Sequence, residues 1–470
     1  MNYAEHAYTT GCRELDELIS KSLYRGALLI VGHPGAGKTT LASQICYANA
    51  KRGKKCLYVT FYEDKEKLFK NTARLGIDLA SAELVGLFKY VKLPAVSVDE
   101  FLSTFTGLLE KEVYDVVVID SVNPVLERVK RREEQRAILL NFFYQLTGAF
   151  TGLLVLVAEV PLGKETVDLG SIEFVTDAVI YLKHRVEYGL LSRVMELRKL
   201  RGAPISVVEV PFLIVEGGGI RVFKPPRPER VLTGGEKPLH TTISIVPELV
   251  GLMKPGDLVY ISYPPRGRTP LVIVPLLDLA VTNDMKTLII SYKYALYEVR
   301  DLFIEVFKHY FNVEPAIAKR ALDKYFYIVS FNPSAYSYTH LQMVIAELIE
   351  RVDPGIVAFH GGEIFRAITR DPADFWVNYI NMLLWLKNKG KLVFRYCARV
   401  DPYWTRMHES LSDIVVRVYY SRERGLLKPI FYIWRRGSEA KVFDYSSLDL
   451  ERSVKDVERL VELIKQRLGD

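Results

Sequence analysis

One stretch limits what this chain can fold into more than any other: Leu28 to Thr40, LLIVGHPGAGKTT. Leu28 to Val31 are apolar and predict a buried strand, and a helix is expected from Lys38. Between them Gly32, Gly37, Lys38 and Thr39 fit the pattern G-x-x-x-x-G-K-[ST]. Gly35 and Gly37 let the backbone curl so that successive N–H groups face a phosphate. The N-terminus of the following helix adds partial positive charge. Lys38 supplies a point charge for the β- and γ-phosphates, and the Thr39 hydroxyl is placed to ligate Mg²⁺. The candidate nucleotide-binding segment therefore comprises Gly32, Pro34, Gly35, Ala36, Gly37, Lys38, Thr39 and Thr40, with ATP and Mg²⁺ as the expected ligands.

The residues around this loop supply further candidates. A strand from Cys56 to Phe61 stops at Tyr62-Glu63-Asp64. A carboxylate there can orient or deprotonate an attacking water, which makes Glu63 the candidate general base. Tyr114 to Ser121 (YDVVVIDS) is a continuous apolar run, as expected of a parallel strand buried on both faces. It ends at Asp120, placed to hold Mg²⁺ through its water shell. Another buried strand, Leu153 to Ala158, ends at Glu159. Strands alternating with helices over more than a hundred residues predict a parallel α/β sheet, with ligands at the C-terminal strand ends. Lys38, Glu63 and Asp120 should converge there. Arg128 to Arg136 (RVKRREEQR) reads as a solvated helix face or, more sharply, a polyanion-contacting loop. Pro161 to Ser171 reads as a loop.

The chain has 470 residues, about half hydrophobic and a quarter charged, enough for two or three cored domains. A net charge of +7 permits a nucleic-acid or acidic partner without demanding one. Cys12, Cys46, Cys56 and Cys397 are scattered, without a C-x-x-C pair, and suggest buried thiols in a reducing cytoplasm. The start, MNYAEHAY, is polar, and no apolar run approaches the roughly 20 residues of a membrane span. Scarce glutamine with abundant Lys, Glu, Arg and Tyr leans towards a thermophile.

Taken together, TGCRELDELI, GHPGAGKTT, LYVTFYE, YDVVVIDS, LLVLVAE and RKLRG resemble the KaiC branch of the RecA-superfamily ATPases, in the expected order from Thr10 to about Val222. The resemblance implies that Glu63 is the catalytic base, although Tyr62 stands where the family usually has a first glutamate. It also implies that Lys199, Arg201 and Gly202 reach the γ-phosphate of a neighbouring subunit, so that the active unit is a homo-oligomer, a hexameric ring in the leading expectation. Two cations aimed at developing phosphate charge are what a trans arginine finger supplies.

The pattern then returns. Residues 223–240, rich in Pro, Gly and charge, mark a linker. Gly256 to Thr269 (GDLVYISYPPRGRT) lies over Gly26 to Thr39 at an offset near 230, a duplicated domain. The chemistry changes: Gly32 becomes Ser262, Gly35 becomes Pro265, and Lys38 becomes Arg268. Lys293 and Tyr294 follow the second strand, His360 stands for Asp120, and the strand matching Glu159 ends in Arg399. Trp434-Arg435-Arg436-Gly437 echoes Lys199 to Gly202. Proline removes an N–H from the phosphate nest, and imidazole is a poor Mg²⁺ partner. The tail, Ser446 to Leu468, reads as an amphipathic helix packed on its own domain.

The expected architecture is α/β: two tandem RecA-like P-loop domains, each a mostly parallel sheet flanked by helices, with a C-terminal helix. Residues 1–222 form the ATPase domain and 241–470 a degenerate pseudo-ATPase. The leading functional reading is a cytoplasmic, nucleotide-driven regulatory or assembly switch, with a protein partner on the second domain. A second reading is a DNA-acting, recombinase-related ATPase, with DNA binding not favoured because the two candidate loops are weakly basic overall. A third is an autokinase.

Overall fold

A computed structural model describes residues 8–19, 26–94, 97–126, 152–161, 176–187, 190–202, 209–223, 237–265, 270–369, 371–423, 426–444 and 450–469. Residues 128–136, 162–171 and 224–236, and with them Arg268 and Thr269, lie outside the described residues. The chain divides into two compact units, Met1–Lys224 and Pro225–Asp470.

In the first unit the described strands are β1 (Gly26–Gly32), β2 (Cys56–Thr60), β3 (Phe88–Lys92), β4 (Val116–Asp120), β5 (Leu153–Glu159), β6 (Ala178–Glu187), β7 (Leu190–Leu200), β8 (Glu209–Val215) and β9 (Gly219–Val222). They lie in the order β3-β2-β4-β5-β1-β6-β7-β8-β9. The first six are parallel, and β7 to β9 extend the sheet antiparallel. Every residue of β1, β2 and β4 is buried, because helices cover both faces. The alternate residues of β1 show the division: Leu28 and Ile30 join one apolar cluster, and Leu29 and Val31 join the other.

The second unit repeats this plan. Strands β10 (Leu258–Tyr263), β11 (Thr287–Ser291), β12 (Phe326–Ser330), β13 (Ile356–His360), β14 (Leu392–Ala398), β15 (Ile414–Glu423), β16 (Leu426–Arg435) and β17 (Lys441–Asp444) lie in the order β12-β11-β13-β14-β10-β15-β16-β17. Six parallel strands again precede an antiparallel edge. Two mostly parallel sheets with flanking helices are the α/β architecture expected of tandem RecA-like domains.

Shared hydrogen bonds sharpen the alignment of the copies. Asp177 accepts the N–H of Ala27 through its carboxylate at 3.0 Å, and Asp413 accepts that of Leu258 at 3.0 Å. Ala27 therefore matches Leu258, at an offset of 231. Gly32 pairs with Glu159 and Tyr263 with Ala398. Tyr263, rather than Ser262, thus stands for Gly32, and Ala398, rather than Arg399, stands for Glu159. The constant offset of 230 breaks because the second loop sequence is one residue shorter, Thr269 standing six positions after Tyr263 and Thr39 seven after Gly32.

The C-terminal helix, Leu450–Leu468, packs on its own unit. Leu460 and Ile464 are buried, whereas Val454, on the expected apolar stripe, is exposed. Arg320 donates to the Leu468 carbonyl at 2.8 Å and Lys324 to the Arg467 carbonyl at 2.7 Å. Cations on the last carbonyls satisfy acceptors that a helix end leaves open.

Candidate functional site

The C-terminal ends of β1, β4 and β5 meet at one edge of the first sheet. Asp120 ends β4, level with Val157 of β5, and Gly32 ends β1, level with Glu159. The loop after β1 turns at Gly35 (φ 78°) and Gly37 (φ 105°), where L side chains are strained. Gly37 caps the helix Lys38–Ala50 without a side-chain hydrogen bond, so the helix presents its first N–H groups to the loop. Gly32 is needed for space: a Cβ there would come within 2.5 Å of the Leu182 carbonyl.

Lys38, at the end of this loop, is 5% exposed, and Asp120, at the end of β4, 8%. The Thr39 hydroxyl donates to Asp120 Oδ2 at 2.8 Å, and the Tyr58 hydroxyl donates to the same atom at 2.6 Å. Lys38 Nζ donates to the His33 carbonyl at 3.0 Å. Burial pushes the Lys38 pKa below its usual value, against the pull of Glu159 and Asp120. Burial pushes that of Asp120 up, against the hydrogen bonds from Tyr58 and Thr39 and the charge of Lys38. A buried ammonium and carboxylate with a half-buried hydroxyl at a helix N-terminus fit a phosphate with a hard divalent cation. Among the described residues no group of three or more His, Cys, Asp or Glu side chains could hold a metal alone, so a cation here would take much of its coordination from phosphate and water.

Glu63 lies three residues past β2, whose Thr60 is level with Asp120. Its N–H donates to Thr60 Oγ1 at 3.4 Å, and its carboxylate pairs with Lys67 at 3.5 Å. The structure thus brings Glu63 to the same sheet edge as Asp120, with its carboxylate turned to the adjoining helix.

Lys199 and Arg201 lie at the other end of the sheet. Lys199 is level with Val179, and the Arg201 N–H donates to the Asp177 carbonyl at 2.8 Å. Arg201 Nη1 pairs with Asp177 Oδ1 at 3.0 Å. Asp177 also holds the start of β1, which runs roughly 20 Å to Gly32 at about 3.3 Å per residue. Arg201 does not meet the phosphate loop of its own chain.

Sequence reasoning missed two supports of this site, Tyr58 and Asn123, and Asp177, which anchors the far end of β1. Tyr58 is level with Val118, so Asp120 is its diagonal neighbour on the next strand. Asn123 clamps the end of β5, donating to the Glu159 carbonyl at 3.1 Å and accepting its N–H at 2.7 Å.

The corresponding edge of the second unit is closed on itself. His360 Nδ1 lies 3.2 Å from Ser291 Oγ, and its ring packs on Tyr294. Arg399 Nη1 donates to the Ser262 carbonyl at 2.8 Å and Nη2 to the Val418 carbonyl at 2.6 Å. Lys293 pairs with Glu363 at 2.9 Å. A 3₁₀ turn, Pro270–Ile273, replaces the start of the helix, which begins only at Val274. The four free cysteines are all buried. Among the described residues no helix is long and apolar enough to cross a membrane.

The first unit is similar to known proteins. A family model described as "ATPase: KaiC" matches residues 8–227. The circadian clock oscillator protein KaiC of Picosynechococcus sp. is 21% identical over 249 residues, 52% of this chain and 48% of that protein. A UPF0273 protein of Pyrococcus horikoshii is 27% identical over 246 residues, 48% of this chain and 96% of that protein. The match to KaiC therefore spans about half of the relative's length. A second UPF0273 protein, from Pyrococcus furiosus, is 26% identical over 245 residues, 48% of this chain and 96% of its own. With a phosphate loop, a strand-end aspartate and a RecA-type strand order in place, the first unit is a KaiC-like P-loop domain of RecA type.

Proposed function

We propose that the first unit binds ATP with Mg²⁺ and hydrolyses it, and that the second is a silent copy through which nucleotide state is passed to a protein partner. The observation that carries this reading is the constellation of buried Lys38 and Asp120 with half-buried Thr39 at the sheet edge, set against its closed counterpart around His360 and Arg399. The N–H groups from Gly35 to Thr40 and the Lys38 ammonium hold the phosphates. Thr39 and Asp120, the latter through water, hold Mg²⁺, which when bound offsets phosphate charge. Glu63 takes the proton of the attacking water as the new P–O bond forms and the bond to the β-phosphate oxygen breaks. Lys199 and Arg201 serve the site of a second copy, since β1 separates them from their own. This makes the active unit a homo-oligomer, with a hexameric ring as the expected form in the cytoplasm. A thermophilic source accords with the composition.

The deciding experiment is ATP turnover by the full chain beside Lys38→Ala, with and without single- and double-stranded DNA. A rate that Lys38→Ala lowers by roughly 10²–10³-fold, as expected for loss of a preorganised charge, and that ignores DNA supports the switch. An unchanged rate in Lys38→Ala overturns the site assignment. Stimulation by DNA severalfold would favour the recombinase-related reading and direct attention to residues 128–136.

A further inference from the structure

Arg395 lies at the centre of β14, level with Tyr260 of β10 and Phe359 of β13. The matching position in the first unit is Leu156, level with Leu29 and Ile119. An arginine has thus taken a leucine's place inside a parallel sheet, and it is fully buried, at 0% exposure. Its Nη2 donates to Ser412 Oγ at 2.5 Å and towards the Leu411 carbonyl at 3.4 Å. The Tyr379 hydroxyl is a further neighbour, and the Tyr260 ring lies 5.5 Å from the guanidinium carbon. Its Nε and Nη1 have no partner among the described residues.

Among the described residues no carboxylate forms an ion pair with it. The acids of this region already have cations: Glu363 pairs with Lys293 at 2.9 Å, Glu409 with Arg417 at 2.6 Å and Asp413 with Lys387 at 2.8 Å. An isolated buried charge is costly unless it is paired.

Beside Arg395 is a small enclosed cavity of about 20 Å³, walled mostly by aromatic and aliphatic side chains such as Phe359 and Phe365, with His408, Tyr379, Cys397 and Gln342, whose Oε1 is also unmet, completing the lining. That is room for one water or one monatomic ion. His408 is 1% exposed, and neither ring nitrogen has a partner. In its neutral form the imidazole has one N–H to donate and one nitrogen that accepts. Burial, helped by the charge of Arg395, pushes the His408 pKa well below its usual value, so the histidine adds a donor without adding charge.

We propose that this cavity holds a resident monovalent anion of halide size, bound by Arg395 and His408, as part of the core of the second unit. One positive charge, the unmet donors and the room for one atom point to chloride chemistry and not to a phosphate. The site does not depend on the reading of the first unit.

The test uses the full chain and halide salts. Crystals grown in bromide should show an anomalous peak between Arg395 and His408. In calorimetry at constant ionic strength, replacing gluconate by chloride should raise the unfolding midpoint saturably by a few degrees. Arg395→Leu, the residue the first unit tolerates at this position, should abolish both effects. A water with no anomalous signal and no halide dependence overturns the proposal. So does a bromide peak that leaves the midpoint unchanged, which marks an adventitious ion only. If Arg395→Leu does not fold, the anomalous peak and the chloride titration of the parent chain still decide.

Discussion

The two units build one strand order twice and finish it in opposite ways. In the first, the strand β1 opens into a glycine loop and a helix that starts at once, so N–H groups, Lys38 and Asp120 stand at a common edge with charge to spare. In the second, the loop is a residue shorter, the helix starts late, and Arg399, Lys293 and His360 spend their polar atoms on their own chain. The opposite edge did not diverge. Asp177 with Arg201 and Asp413 with Arg436 make the same pairs, at 3.0 and 3.5 Å. The scaffold therefore keeps the contacts that start its central strand while the opposite edge is rebuilt.

The contrast can be broken at several points. The largest effect is expected from Arg201→Ala, which should lower turnover by roughly 10³-fold if the residue acts on a neighbouring copy as an arginine finger does. Arg436→Ala, its counterpart, should leave the rate unaltered. Mixing Arg201→Ala with Lys38→Ala chains should recover part of the activity, because each variant offers the half-site the other lacks. Failure of the mixture to recover would place Arg201 in a structural role with Asp177.

Glu63→Gln should slow turnover by about 10²-fold while nucleotide binding is retained, as measured by single-turnover kinetics and by equilibrium titration. A wild-type rate would move the base elsewhere, with Glu159 the next carboxylate to change.

Asp120→Asn separates stability from chemistry. Burial raises the pKa of Asp120, so its ionisation costs stability as pH rises from about 4, its unfolded value, through the folded value. Asparagine keeps an acceptor for Thr39 and Tyr58 and carries no charge. The nucleotide-free variant should melt at or above the parent at neutral pH and lose that pH dependence, while Mg²⁺-dependent turnover falls. A lower midpoint at pH 7 than the parent would count against the argument from burial. The smallest effect is expected of His360→Asp, which returns one carboxylate to an edge whose loop sequence carries Arg268 in place of the lysine, and should give no turnover to a Lys38→Ala chain.

Much of this was legible in the residues. The run Val116 to Asp120 is apolar until its last position, and such a run can only be a strand covered on both faces with its acid at the end. The helix Val98–Lys111 carries its own start signal, Ser97 and Glu100 forming a capping box. The hairpin of β6 and β7 was less clear, since Lys183, His184 and Arg185 interrupt its apolar pattern, and cross-strand pairs such as Lys183 with Glu196 compensate only once the strands are paired.

What the sequence determined by itself is local: the loop's glycines, the lysine and threonine at its end, the strand-end acids, and the repeat with its losses. These depend on spacing of a few residues, which fixes geometry within one turn. What only the tertiary structure decided is register and distance. Tyr58 reaches Asp120 because β2 and β4 are neighbours; Tyr263 replaces Gly32 because Asp413 sets the start of β10; Arg201 lies a strand's length from its own loop. Arg395 reads as an ordinary strand cation until the sheet encloses it and leaves its charge without a partner. Such facts rest on contacts between residues far apart in the chain, which no local pattern encodes.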